Sequence, residues 1–372
     1  MKILIRFLLL SIFLVHLQNI QAQDKGPPLI LKTESDQKNE TTPSSGGNIP
    51  SFLKDFLSRS SLTGLFGQNG GQHIFESGTK YPNLSGVKAG SRITYDREFQ
   101  YGGLEFKHWW NGWEISLGYR SNFKNQRTEQ GRDEDFFMGS VTQERGTKID
   151  LGHLSFYDTP YTFTGTQNFA DGRGKLKMKQ DRISLQARKY FGTSDPDPRK
   201  AGSGIFLSGG AHYSFFKYYL YDVTQWIATV PIVTYGPIGI GLSYSNSTWE
   251  FPFGIGYRYS TGNWMLETGF MGSVWYSHYR DYHYQRNLNF IGDSSGYGIE
   301  THIAGAYVLN SWMFLLKLTE YRLYGQGSFQ THGGLNTSDI LSNFSGEYRN
   351  YLSTKQFAVE LQITNFLDWI SR

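Results

Sequence analysis

The chain has 372 residues, 16% of them aromatic, with 43 glycines, no cysteine and a formal net charge of +4. The absence of cysteine excludes both a disulfide framework and the lipidated cysteine of a lipoprotein. Basic residues are scattered among acidic ones instead of being gathered on one face, which excludes a nucleic-acid-binding protein.

The first 22 residues are predicted to be a secretory signal peptide. Lys2 and Arg6 precede the apolar run FLLLSIFLV, and Ala22 closes the segment with a residue that a signal peptidase accepts. Later apolar runs, near 225–242 and 303–318, are interrupted by Pro, Gly, Asn or Lys and do not make a spanning helix. We therefore expect an exported chain that can enter a membrane only through strands.

Residues 23–58 are predicted to form a flexible polar tail that ends in a short amphipathic helix. Pro, Ser, Thr, Gly and charged residues fill 24–48, a stretch with little to bury. The sequence IPSFLKDFLSR, at 49–59, instead has apolar residues at helical spacing. The remainder, residues 59–372, is predicted to be one β-barrel.

From about residue 60 onward, apolar residues alternate with polar or small ones. In WEFPFGIGYRYS, residues 249–260, the odd positions are aromatic or aliphatic and the even positions are Glu, Pro, Gly, Arg or Ser. Segments 113–120 and 357–364 alternate in the same way. This period suits a strand with one face toward lipid and the other toward a wet lumen. In an exported, polar, aromatic-rich chain it favours a transmembrane barrel over a soluble β-sandwich, the alternative that composition leaves open.

Ten such strands can be counted, which predicts an all-β fold: a ten-stranded antiparallel transmembrane β-barrel in the cell outer membrane, with short periplasmic turns and long extracellular loops. A monomer is the expected state of such a small barrel. Tight turns are predicted at WNGW, STGN and LNS, and longer polar segments near 124–172, 220–245, 285–296 and 325–347. The predicted strands are 61–77, 88–109, 113–133, 174–191, 204–222, 248–260, 264–286, 296–309, 312–331 and 348–366.

The motif HYRDYHY, residues 278–284, ends the seventh strand. Alternation along that strand points Tyr279, Asp281 and His283 into the lumen. Two residues of β rise place Asp281 and His283 about 6.6–6.8 Å apart along the strand, close enough for the carboxylate to orient the imidazole.

A second acidic motif, GRDEDFF at residues 131–137, lies at the top of the third strand, nearly opposite the seventh in a ten-stranded ring. Its Asp133 and Asp135 repeat the two-residue spacing. Simple alternation from Trp113 would turn both carboxylates toward lipid, so facing the lumen requires a bulge in this strand.

Together the two motifs suit hydrolysis by an activated water. A neutral imidazole held in one tautomer by a carboxylate can take a proton from a water that a facing carboxylate also holds, and that water can attack a peptide carbonyl without a covalent intermediate. Taken singly, each motif has an ordinary alternative: the Asp-x-His motif can be a solvated pair in a lumen, and GRDEDFF an acidic surface loop.

These motifs, their strand order and the segments FPFGIGYRYSTGNWMLETGFMGSVWYSHYRDYHY and IETHIAGAYVLNSWMFLLKL resemble the omptins, outer-membrane aspartyl endopeptidases built as ten-stranded barrels. The resemblance implies that His283 is the catalytic base and that Asp281 orients it. It also implies that Asp133 shares the attacking water with His283, and that Asp135 supports Asp133 or the developing oxyanion.

The same resemblance implies no metal and no covalent cofactor, a requirement for bound lipopolysaccharide, and polypeptide substrates, with host proteins among the candidates. Omptins cut beside basic residues and carry an acidic residue two positions before the aspartate of Asp-x-His. This chain has Tyr279 there, which we assign to substrate binding, and the other acidic specificity position falls near Gln72 or His73, with Glu76 close by. Neutral residues at both positions would not select Arg or Lys by charge. The alternative function is a non-enzymatic outer-membrane barrel, a narrow channel or a surface adhesin, with a degenerate site.

Overall fold

The computed structural model describes residues 50–80, 88–122, 126–137, 142–144, 148–151, 154–157, 162–164, 170–227, 232–235, 239–344 and 346–371. The predicted signal peptide and the predicted tail up to residue 49 lie outside the described residues. No helix in these ranges is both long and apolar enough to cross a membrane.

Strands dominate the described chain. Helix α1 spans Ser51–Ser58, inside the segment for which the sequence predicted an amphipathic helix, α2 spans Thr337–Ser342, and a 3-10 helix spans Leu367–Ser371. The strands are β1 Ser60–Lys80, β2 Lys88–Asp96, β3 Phe99–Trp110, β4 Trp113–Ser121, β5 Gln126–Phe137, β6 Thr142–Glu144, β7 Lys148–Leu151, β8 Leu154–Tyr157, β9 Thr162–Thr164, β10 Ala170–Tyr190, β11 Ala201–Ile227, β12 Ile232–Tyr235, β13 Ile240–Thr261, β14 Trp264–His283, β15 Leu288–Leu309, β16 Trp312–Gly333 and β17 Tyr348–Phe366.

The long strands close into a ring. β1 pairs with β17 over the register from Ser61–Phe366 to Gly78–Arg349, so the first and last strands share an edge. β2 and β3 pair with different parts of β1, so together they fill one strand position of the barrel. β4 and β5 pair in the same way with different parts of β10 and fill the next position. The remaining neighbours follow chain order from β10 through β11, β13, β14, β15 and β16 to β17, every pair antiparallel. The described residues thus form a ten-stranded barrel without a free edge, and the predicted fold is confirmed.

A band of exposed apolar side chains surrounds the ring. On β13 and β14 the band includes Trp249, Phe251, Phe253, Ile255, Tyr257, Tyr259, Trp264, Leu266, Phe270, Val274 and Tyr276. The residues between them, among them Glu250, Arg258 and Glu267, are buried in the lumen. This is the pattern of strands that cross a bilayer. Because the band ends at Tyr276 on β14, residues 277–283 rise beyond the membrane.

The two ends of the barrel differ. At one end the turns are tight: Asn111 and Gly112 have φ values of 49° and 77°, as the two central residues of a type I′ hairpin turn require. Both α1 and the C-terminal 3-10 helix adjoin this short-turn end. We call the opposite end the mouth.

Two of the predicted loops at the mouth are largely strand. β11 continues to Ile227 and β13 begins at Ile240, although the sequence placed a loop at 220–245. β15 begins at Leu288, so residues 285–296 also contribute mainly to a strand and not to a loop. Polar composition was misleading here because a strand that projects above the bilayer needs no apolar outer face.

A bulge resets the alternation of the third barrel strand. Thr128 pairs with Leu176, but Gly131 pairs with Gly174, so β5 contributes one residue more than β10 across this interval. On β4, below the shift, the even-numbered residues Glu114, Ser116 and Arg120 face the lumen. Above it, the odd-numbered residues up to Asp135 do so, which is the change of phase that the acidic motif required.

A layer of buried rings fills the lumen just below the mouth. This aromatic layer consists of His73, Phe75, Tyr95, Phe216, Tyr218, Tyr244 and Tyr279. Rings from different walls are in contact, since the centroids of Tyr95 and Tyr244 lie 5.2 Å apart, as do those of Phe75 and Tyr279. At such separations aromatic rings pack against each other and leave no passage between them.

Below the aromatic layer the lumen holds a polar cavity lined by ion pairs. Arg188 lies 2.9 Å from Glu267, and Arg120 lies 3.0 Å from Glu360, in each case across the lumen. The aromatic layer separates this cavity from the mouth.

Candidate active site at the barrel mouth

Asp281 and His283 form a hydrogen-bonded pair at the top of β14. The Nε2 atom of His283 lies 3.1 Å from the Oδ2 atom of Asp281. With the proton on Nε2 donated to the carboxylate, Nδ1 carries the lone pair and is the atom that can act as a base. The His283 ring also packs edge-on against Phe290, with centroids 5.0 Å apart, which restricts its rotation.

The two members of this pair differ in exposure. The Asp281 side chain is 2% exposed, whereas that of His283 is 20% exposed. The imidazole can therefore meet a ligand in the mouth while its carboxylate stays behind it. The second oxygen of Asp281, Oδ1, is buried and has no hydrogen-bond partner within the described part of the chain. A buried, half-satisfied carboxylate is costly to the fold and is typical of functional sites.

Asp133 and Asp135 face the same space from β5. Ser91 on β2 donates a hydrogen bond of 3.3 Å to Oδ1 of Asp133, and Ser91 is also the register partner of Asp135. Burial and the neighbouring Asp135 carboxylate raise the pKa of Asp133 to about 7. Burial also raises the pKa of Asp135. The two carboxyl groups are close enough that the charge of one makes ionisation of the other less favourable.

The facing carboxylates also act on His283. Burial alone would lower the pKa of this imidazole, but the charges of Asp281 and Asp133 outweigh burial and raise it. Conversely, the charge of His283 favours the ionised form of Asp133 and of Asp135. The four residues named from the sequence thus form one electrostatically coupled group, which we call the mouth site.

Two residues that the sequence did not single out complete the rim. Arg286, in the hairpin between β14 and β15, forms an ion pair with Asp339 of α2. Arg286 also interacts electrostatically with Asp135 and His283. Asn336 caps α2 by accepting a hydrogen bond from the backbone N–H of Asp339 at 2.8 Å. The run NTSD could have predicted that helix start, but no sequence signal pairs it with Arg286.

The predicted substrate-binding residue, Tyr279, lies in the aromatic layer and not on an open surface. It is fully buried, packs against Phe75 and Tyr244, and its hydroxyl accepts a hydrogen bond from Asn350. Tyr279 therefore forms the floor beneath the mouth site. A substrate can contact its side chain only if the rings of the aromatic layer move apart.

The candidate positions on β1 point in opposite directions. His73 faces the lumen and is bonded to Thr354 at 2.8 Å. Gln72 is exposed, and Glu76 lies on the outer wall, where it accepts a hydrogen bond of 2.6 Å from Arg92. No carboxylate from this part of β1 reaches the floor of the site, in agreement with a pocket that does not select basic side chains by charge.

No metal ligand set is present among the described residues: no three His, Asp or Glu side chains there converge as a metal ion would require.

Comparisons with known proteins agree on the architecture. Residues 80–361 match the model of a family described as "Putative porin". The fold is similar to that of the outer membrane protease OmpT from Escherichia coli, with a TM-score of 0.62 and 11% identity, over 82% of this chain and 96% of that one. Weaker matches include the beta domain of the Bordetella autotransporter BrkA (TM-score 0.31, 9% identity, 82% and 99% of the two chains) and the toluene transporter TodX of P. putida (TM-score 0.24, 8% identity, 86% and 92%). No curated protein matches the sequence.

Proposed function

We propose that this chain, which belongs to the family described as "Putative porin" and is an outer-membrane β-barrel, is a surface endopeptidase of the omptin type. The observation that carries the proposal is the meeting of two motifs. The hydrogen-bonded Asp281–His283 pair and the electrostatically coupled Asp133–Asp135 pair come from opposite walls to one mouth, above a closed floor.

In the proposed mechanism a water molecule lies between His283 and Asp133. Nδ1 of His283 takes a proton from this water while ionised Asp133 accepts its other hydrogen bond, and the water oxygen attacks the peptide carbonyl carbon. Asp281 stabilises the imidazolium that results, because its buried charge is already in place before the reaction.

Collapse of the tetrahedral intermediate then breaks the C–N bond. The proton on Nδ1 passes to the leaving amine, which restores the neutral imidazole. Asp135 lies beside Asp133 and is proposed to support it or the developing oxyanion, and Arg286 adds positive charge at the same rim. The reaction consumes one water and produces one carboxyl terminus and one amino terminus.

The proposed substrates are polypeptides that reach the mouth from outside the cell, host proteins included. Tyr279 and, at the second position, Gln72 or His73 stand where the resemblance to omptins implies acidic specificity residues, so cleavage is not expected to depend on Arg or Lys. Lipopolysaccharide is the proposed activating partner, and the monomer the proposed unit.

A narrow channel is the second candidate, because the family description names a porin and the lower lumen holds a polar cavity. The aromatic layer opposes this function, since its rings meet across the lumen. A channel would require those rings to separate, and conductance in planar bilayers would report it.

The decisive experiment is cleavage of a mixed peptide library by the refolded protein with lipopolysaccharide. We expect activity in the wild type and loss of about 10²-fold or more in His283→Ala and in Asp133→Ala. The matched control is His278→Ala. His278 pairs with Asp293 at 2.9 Å on the exposed outer face of the same strand, so it repeats the chemistry outside the lumen. Folded wild type without cleavage, or equal loss in His278→Ala, would overturn the proposal.

A further inference from the structure

Helix α1 has an apolar face that the barrel only partly covers. Its apolar residues, Phe52, Leu53, Phe56 and Leu57, follow helical spacing and gather on one side, while Lys54 lies on the other. No residue of α1 is buried. Phe52 is 73% exposed, against 36% for Leu53 and 41% for Phe56. An isolated eight-residue helix would not hold together in water, so this face needs a partner.

The outer wall of the barrel supplies part of that partner. Phe56 stacks on His108 with ring centroids 4.4 Å apart and on Phe106 at 6.0 Å. These two residues of β3 point outward, because their register partners on β1 and β4, Leu62 and Ile115, are exposed members of the apolar band. Phe56 therefore packs against the outside of the wall, while the helix as a whole packs mainly against the C-terminal 3-10 helix.

The free part of the helix face is continuous with the membrane-facing band. A groove between α1 and the wall is lined by the apolar and aromatic residues Phe52, Leu53, Phe56, His108 and Trp110, and by Asp55 and Arg59, which form an ion pair at 3.0 Å. Trp110 and, at the C-terminus, Trp369 are each 56% exposed at this same end of the barrel. Tryptophan at this height is typical of the boundary between headgroups and acyl chains.

We propose that α1 is an interfacial lipid-binding element, which inserts Phe52 and Leu53 into the leaflet at the short-turn end and takes an acyl chain into the groove beside Phe56. The occupant is phospholipid, because the surface that α1 extends is the one that already faces lipid. The Asp55–Arg59 ion pair that borders the groove, and Lys54 on the far side of the helix from Phe52, remain at the level of the headgroups and water. The inference is independent of the proposed peptidase activity.

The absence of cysteine from the chain makes a direct test simple. Full-length Phe52→Cys and Lys54→Cys, each carrying an environment-sensitive fluorophore, are refolded into phosphatidylcholine vesicles with and without lipids that bear a nitroxide just below the headgroup. The two sites lie about 160° apart around the helix at 100° per residue. Retention of the heat-modifiable gel shift of a folded barrel confirms that both variants fold.

The expected result is blue-shifted emission and strong nitroxide quenching at position 52, with red, weakly quenched emission at position 54. Blue-shifted emission at 52 that the nitroxide lipids do not quench would mean that protein covers this face, either a second copy or the segment before α1, and would overturn the proposal. Red emission at both positions, meaning a helix in water, would overturn it as well.

Discussion

His283 and Asp281 are bonded within the lumen, with 3.1 Å between Nε2 and Oδ2, and the aspartate is almost completely buried behind the imidazole. The orientation leaves Nδ1 toward the mouth. It also means that the protonation state of His283 depends on a charge that solvent does not screen.

Asp281→Asn is expected to shift the pH profile of cleavage. The charges of Asp281 and Asp133 raise the pKa of His283, and the base must be neutral, so wild-type activity should rise with pH as this group loses its proton. Removing the Asp281 charge lowers that pKa, and the rising limb should move to lower pH while the plateau falls by roughly 10²-fold or more. The measurement is kcat/KM against pH. A lower plateau of kcat/KM in Asp281→Asn, with its rising limb at the same pH as in the wild type, would contradict the role of Asp281 in raising the pKa of His283.

Asp133→Asn is expected to stabilise the barrel at alkaline pH. The unfolded aspartate has a pKa of about 3.9, and burial beside Asp135 raises the pKa of Asp133 in the barrel to about 7. Between these two pH values Asp133 is protonated in the folded barrel but ionised in the unfolded chain, so the free energy of unfolding of the wild type falls as pH rises. Above pH 7 the folded state also holds Asp133 ionised, and the full loss of stability remains. The substitution should therefore raise stability by about 1–3 kcal/mol at pH 8 and by almost nothing at pH 4.

Urea unfolding in vesicles at both pH values would measure this gain, and activity should be lost at both. Asp293→Asn is the matched control, since that carboxylate lies on the outer face and its pKa is lowered rather than raised. Equal stability of Asp133→Asn and wild type at pH 8 would show that the mouth site carries no such deficit.

Opening the aromatic layer should create conductance. Tyr95 and Tyr244 are fully buried and in contact across the lumen, so the double change Tyr95→Ala and Tyr244→Ala removes two rings from the layer between mouth and cavity. We expect low conductance of the wild type in planar bilayers and clear single-channel steps in the double variant. Tyr257→Ala, on the lipid-facing side of β13, should behave as wild type. Large steady conductance of the wild type would instead favour the channel function.

The ion pair between Arg286 and Asp339 should hold α2 against the β14–β15 hairpin. Asp339 is buried, whereas Arg286 is half exposed, so Asp339→Asn should cost about 1 kcal/mol after allowance for solvent screening. We expect faster proteolysis between β16 and β17 and reduced cleavage activity. Glu320→Gln breaks the exposed pair with Arg322 and should change neither. Unaltered proteolysis of Asp339→Asn would show that other contacts hold α2.

The sequence alone determined the barrel. Period-two alternation is a local property of each strand, and it identifies the lipid-facing residues from Trp249 to Tyr259 without knowledge of any neighbour. The same reasoning placed Asp281 and His283 on one face, because two residues in a strand always point the same way. Alternation within a strand does not depend on where the strand begins or ends, so an error in the predicted strand boundaries leaves these assignments unchanged.

The tertiary structure decided which side chains meet. Asp133 and Asp135 face the lumen only because β5 gains one residue against β10, and nothing local to GRDEDFF reveals that bulge. Alternation within one short motif already turns His278 outward and His283 inward, but only ring closure brings His283 to the carboxylates of β5. The aromatic layer and the Arg286–Asp339 pair likewise join residues far apart in the chain. Contacts between strands depend on register, tilt and closure, which are properties of the whole ring and are not encoded in the alternation of any single strand.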